Sequence, residues 1–207
     1  MNAFHRIGIR IVAIAWASIV LQVGTFALAG NSQPKSAGPE RVAGRTLGEW
    51  TAELSKSQNE IARLRAVKTL GAFGEQAAAA LTLALSDRSA AVRYWAASEL
   101  GDQGVARKTA IPALRKMMQE QFIGLRISAA YALCRFGNVK QGLPVLIEAL
   151  KYPERGVANS AADFLARIGP PAVDAVDALT QAAKHQDYHV RGAAKEALRR
   201  IRGKPAS

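Results

Sequence analysis

The 207-residue chain carries 28 Lys and Arg against 16 Asp and Glu, a formal charge of +12. That balance attracts polyanions and anionic surfaces without choosing among them. A single cysteine, Cys134, excludes an intramolecular disulfide framework, and abundant Ala and Leu with few aromatic residues favour packed helices over sheets.

Residues 1–29 read as a secretory signal peptide. Arg6 and Arg10 stand with His5 and no acid at the start, and residues 11–21 are apolar apart from Ser18. Ala27, Leu28 and Ala29 then place small residues where a signal peptidase reads, so cleavage is expected after Ala29. The mature chain would begin at Gly30, in the periplasm or outside the cell, with no stable membrane span. A retained anchor is the competing reading, but the apolar stretch ending at Ala29 contains Gln22 and is barely long enough to cross a bilayer. Asn31 stands where a lipid-bearing cysteine would have to be. Residues 30–45 mix Pro, Gly, Ser and charge without periodicity and read as a flexible linker.

At Thr46 the pattern changes. A hydroxyl followed three residues later by Glu49 is a capping box, and Leu47, Trp50 and Leu54 follow at helical spacing. The ordered domain is therefore placed at 46–203, with 204–207 as a tail.

From residue 58 onward the chain repeats itself. With Arg63, Arg93, Arg126, Ala158 and Arg191 as register zero, the spacings are 30, 33, 32 and 33 residues. Three positions on stand Ala66, Ala96, Ala129, Ala161 and Ala194; seven on stand Leu70, Leu100, Leu133, Leu165 and Leu198. One position before is always apolar, and eleven on come Gly74, Gly104, Gly137 and Gly169. These offsets trace one face of a helix that ends at a glycine. Ser98 falls on the predicted outer face.

A second helix follows each glycine, marked by Leu81 and Leu85, then Ile111, Leu114 and Met118, then Leu143, Leu146 and Leu150, then Val173, Val176 and Leu179. Pro112 and Pro144 are expected in first turns, where a missing N–H costs nothing. Such helix pairs cannot bury their apolar stripes alone, so they stack into a solenoid of about ten helices, beginning with the Thr46 helix.

The run from Ala90 through Val92, Arg93, Ala96 and Ala97 to Leu100 and Gly101 resembles the first helix of a HEAT repeat. The Val-Arg-x-x-Ala-Ala pattern in short units resembles the bacterial HEAT-like repeats of phycobilisome lyases. The resemblance covers residues 46–203 and implies an all-α solenoid of about five repeats. It does not imply one function, because scaffolds, chromophore lyases and a metal-dependent hydroxylase share that fold. It also implies acid–arginine pairing between turns, with Asp87 before Arg93 and Asp187 before Arg191 as candidates.

Two groups of residues stand out as candidate partner contacts. Nine positions after register zero the units read Ala72, Asp102, Arg135, Arg167 and Arg200, and the last three form a predicted arginine ridge. It either binds a polyanion or completes helix ends, where cations complement the dipole. Tyr94 and Trp95 replace Leu64 and Arg65, or Ile127 and Ser128, of other units, and mark either a contact surface or local packing.

No catalytic, cofactor or metal residues are assigned. His185 and His189 stand four apart around Asp187, with no third ligand near in sequence. No His-Glu dipeptide occurs, so the hydroxylase's iron chemistry does not carry over. Cys134 occupies a small-residue position held elsewhere by Gly71, Gly101 and Ala166, which suits a buried, inert thiol. The sequence thus points to an exported, non-catalytic scaffold whose partner is another protein. A polyanion (an acidic polysaccharide or anionic surface) is the alternative, nucleic acid fits the export signal poorly, and a lyase-like enzyme or subunit stands third.

Overall fold

The computed structural model describes residues 38–104 and 108–203. The expected signal peptide, 1–29, and the tail, 204–207, lie outside the described residues. Among the described residues ten α-helices follow one another: α1 (Leu47–Lys56), α2 (Glu60–Gly71), α3 (Ala78–Ala84), α4 (Ala90–Gln103), α5 (Ile111–Met117), α6 (Ile123–Arg135), α7 (Val139–Ala149), α8 (Arg155–Ile168), α9 (Val176–Ala182) and α10 (Tyr188–Ile201). The solenoid expected from the repeat is the fold observed.

Part of the stretch read as linker is ordered. Strands β1 (Arg41–Val42) and β2 (Arg45–Thr46) pair antiparallel, and the Val42 carbonyl accepts the Trp50 indole N–H at 2.9 Å. Strands of two residues are too short to leave a period in the sequence. The capping box forms as expected: the Glu49 amide donates to the Thr46 hydroxyl at 3.3 Å, and its carboxylate accepts the Thr46 amide at 2.7 Å.

Helices α2, α4, α6, α8 and α10 pack on one another in succession and form the inner layer. Helices α3, α5 and α9 pack chiefly on the first helix of the next unit, whereas α7 packs chiefly on α6 of its own, and the four form the outer layer. The five register alanines are fully buried, which lets the inner helices approach closely. Leu70, Leu100, Leu133 and Leu165 are buried beside them, and Leu198 is half-buried. Gly104 ends α4 in the left-handed region, at φ 64°, as its place in the repeat requires.

Two details depart from expectation. Pro144 stands inside α7, not in its first turn, because the helix begins at Val139. Ser98 is buried, at 3% exposure, because α4 is enclosed by α2, α3 and α6; its outward face is narrower than a two-sided stripe suggests.

The register arginines knit the units together, though not as expected. Asp87 pairs backward with Arg63 of the preceding unit, through bonds of 2.9 and 3.1 Å, rather than with Arg93. Arg93 instead meets Glu120 at 3.2 Å, and Asp187 meets Arg155 at 3.6 Å rather than Arg191. One guanidinium nitrogen of Arg63, Arg93 and Arg191 donates to backbone carbonyls five and six residues earlier, at 2.7–3.4 Å. The cation that opposes the dipole of its own helix thus satisfies the carbonyls that close the preceding one.

Glycines at a second register set the inner spacing. A Cβ on Gly101 would lie 2.5 and 2.7 Å from ring atoms of Tyr131 and 3.2 Å from the Ala132 backbone. A Cβ on Gly71 would overlap only the flexible end of Glu99. Tyr131 is buried and stacked on Phe164 at 4.5 Å, so it cannot yield. Gly101→Ala is expected to cost about 1–3 kcal/mol by overpacking. Gly71→Ala should stay within about 1 kcal/mol of wild type, helped by helix propensity. Urea unfolding of the two variants checks this, and equal losses would contradict it.

Candidate binding face on the inner layer

Three times along the repeat an aromatic ring lies beside a carboxylate and a cation of the chain. On α1, the Trp50 ring has the Arg45 guanidinium 4.2 Å and the Arg65 guanidinium 5.6 Å from its centroid. Both arginines pair with Glu53, at 2.5 and 3.3 Å. On α4, Lys68 from α2 places its ammonium 4.1 Å from the Trp95 centroid, and Glu99 stands one turn further on. Over α6, the Arg167 guanidinium lies 4.9 Å from Tyr131 and 5.7 Å from Phe164, and pairs with Asp102.

This third group closes over the middle repeat. Asp102 belongs to α4 and Arg167 to α8, the helices on either side of α6. Tyr131 on α6 donates its hydroxyl to Asp102 at 2.5 Å, Arg167 also reaches Asp163 at 3.5 Å, and the Tyr94 ring lies 6.3 Å from Phe164. Stacked repeats ordinarily touch only their immediate neighbours. Here the flanking units meet across the unit between them. Ile127, Ser128, Tyr131 and Ala132 are buried beneath, so the inner layer is closed over α6 and open over α2 and α4. Burial and the Asp102 carboxylate push the Tyr131 phenol above its usual range.

The predicted contacts separate accordingly. Tyr94 is half-buried between the two core clusters, where burial raises its phenol. Trp95 is half-buried, its edge against Tyr94 at 5.5 Å, and remains on the open part. Arg135 donates to the carbonyls of Gly101 and Arg167, each at 3.1 Å, and so closes the helix ends on both sides. Arg167 is committed to Asp102 and Asp163, and Arg200 to Glu196 at 2.6 Å. Hydrogen bonds from Arg199 and then Arg200 hold the Glu196 carboxyl down to about 2.

Sequence reasoning did not single out Glu99. Its carboxyl lies flat on Gly71, the last residue of α2, where helix carbonyls point. It has no hydrogen bond and no cation within ion-pair distance among the described residues. Burial, reinforced by Asp102, pushes the carboxyl up to about 7, against the pull of Arg167 and Lys68. The available signal was its departure from the repeat, since the equivalent positions are Thr69, Ala132, Phe164 and Ala197.

Cys134 is buried, and burial alone pushes its thiol up to about 12. His185 accepts the Asp187 amide at 2.9 Å on its Nδ1, while the His189 ring packs on Tyr188 at 3.8 Å. Among the described residues no three His, Cys, Asp or Glu side chains converge as a metal site needs.

Comparison with known proteins bears on this architecture. The family profile of HEAT repeats matches residues 48–134 and 111–199. No curated protein matches the chain. Solved structures with a similar fold include the complex of CpcE and CpcF of phycocyanin lyase from Nostoc sp. PCC7120, at 24% identity and a TM-score of 0.56, covering 86% of this chain and 71% of that one. An engineered protein is similar at 19% identity and a TM-score of 0.52, over 77% of this chain and 82% of its own. A designed armadillo repeat protein in complex with the peptide (KR)4 is similar at 17% and 0.50, over 75% and 81%. Likeness at these identities is likeness of fold.

Proposed function

The chain belongs to the HEAT-repeat family, and from that premise we propose that it is an exported, non-catalytic scaffold holding another protein on the open part of its inner layer. The observation that carries this reading is the contrast along that layer. Over α6 the ionisable groups are committed to one another, whereas over α2 and α4 a half-buried Trp95 stands beside the exposed side chain of Lys68. A rigid aromatic ring reached by solvent and rimmed by charge is the composition of an interface anchor. The same architecture carries a peptide in the designed armadillo protein, and CpcE is found in complex with CpcF. Export rests on the basic, apolar leader and its Ala27-Leu28-Ala29 site. A polyanion row at Arg135, Arg167 and Arg200 is less favoured, because carbonyls and carboxylates of the chain already occupy those guanidinium groups.

The test is crosslinked capture from periplasmic extract, with mature wild type and Trp95→Ala as baits. Wild type should retain a discrete partner that Trp95→Ala loses without a change in unfolding temperature beyond a few degrees. Identical capture by both baits would sink the assignment of this face. N-terminal sequencing of the exported protein should begin at Gly30; an intact leader in washed membranes would replace cleavage with anchoring.

A further inference from the structure

We propose that Trp95 and Glu99 form a receptor for a cationic side chain, Lys or Arg, presented by a basic segment of the partner. This rests on the scaffold reading and specifies its chemistry. The chain itself shows what fills such a place. Beside Trp50, Glu53 holds two guanidinium groups against the ring; beside Tyr131, Asp102 holds a third. Beside Trp95 the carboxylate has no such partner among the described residues. Lys68 covers the ring at 4.1 Å, yet its ammonium stays beyond ion-pair distance of Glu99.

The position is costly for an anion left alone. Glu99 lies on the C-terminal turn of α2, whose carbonyls carry partial negative charge, and Asp102 adds like charge from its own helix. The groups acting on it are Lys68 from α2, Asp102 from α4 and Arg167 from α8. Arg167 is already engaged by Asp102, Asp163 and two rings. A cation entering between Trp95 and Glu99 would gain the π-face, pair the carboxylate and satisfy the helix end together. Lys68, exposed and flexible, is the group it displaces.

The experiment is calorimetric titration of the full chain with a short blocked peptide of alternating Lys and Arg, and with a Glu peptide of equal length. The basic peptide should bind and the acidic one should not. Because the ionised carboxylate is the receptor and titrates near 7, affinity should fall about thirty-fold from pH 8 to pH 5.5. Glu99→Gln should lose about tenfold or more at pH 8 and become insensitive to pH, while Lys68→Ala should bind severalfold tighter. Glu148→Gln removes the same charge from an exposed site on α7 and should bind as wild type. Equal losses in Glu99→Gln and Glu148→Gln, or a Glu99→Gln variant that binds normally, would overturn the proposal. The two readings fail separately. If Glu99→Gln still captures the protein partner of wild type, the scaffold stands and the cation receptor falls. If the peptide binds as described while no protein is captured, the receptor stands without the scaffold.

Discussion

Asp87→Ala is expected to cost about 3–5 kcal/mol, because it strands a buried guanidinium. The side chains of Arg63 and Asp87 are 5% and 11% exposed, and both carboxylate oxygens accept from the guanidinium. Asp87 also accepts the Ser89 amide at 2.7 Å, so its loss unpins the turn before α4. Arg63 would keep the carbonyls of Ser57 and Gln58, but its charge would lack a counterion. Asp187, in the turn before the last helix, serves as the contrast. Its ion pair with Arg155 is 3.6 Å long and the arginine side chain is 58% exposed, a geometry worth little in water. It caps α10 by accepting the amides of His189 and Val190, so Asp187→Ala should cost only about 1 kcal/mol. Urea unfolding of both variants decides the matter, and similar losses would show that the buried pair is no more than a turn cap.

That contrast shows what a repeat makes legible. The register alanines and leucines could be placed from sequence because burial at a fixed helical position demands the same small or branched residue in every unit. Which unit an acid reaches was not legible. Periodicity fixes a residue's place within its unit, whereas the Arg63–Asp87 pair depends on the rise and twist between units. The closure over α6 was hidden for the same reason, since Asp102 and Arg167 meet only through the curvature of the inner layer. Asp102 interrupted the series at Arg135, Arg167 and Arg200, and it is the acid that engages one of them. Trp95 was legible as a departure from the repeat. Tyr94 departed equally, but it packs against both core clusters where Trp95 packs against one, and sequence offers no sign of which of two adjacent residues is the more enclosed. Glu99 was passed over because a glutamate on a helix is unremarked until the glycine beneath it is seen to belong to the neighbouring helix.

Glu99→Gln should therefore stabilise the protein, and by an amount that depends on pH. The folded chain holds the Glu99 carboxyl near 7 against an ordinary 4.5, so the folded state binds this proton more tightly than the unfolded state. Stability from this group is then fully present below about pH 4.5 and is lost as pH rises to about 7. The cause is desolvation first and the Asp102 charge second, with Lys68 and Arg167 offsetting part of both. Gln has the shape of the protonated acid and does not titrate, so the difference between variant and wild type isolates this one site. At pH 4 the two should unfold at the same urea concentration. At pH 8 the Gln variant should be more stable by about 3 kcal/mol, the free energy of a shift of this size. A benefit independent of pH would assign the effect to packing on Gly71. A loss at pH 8 would mean that Lys68 or Arg167 pairs with the carboxylate in solution, and that the place beside Trp95 is already filled.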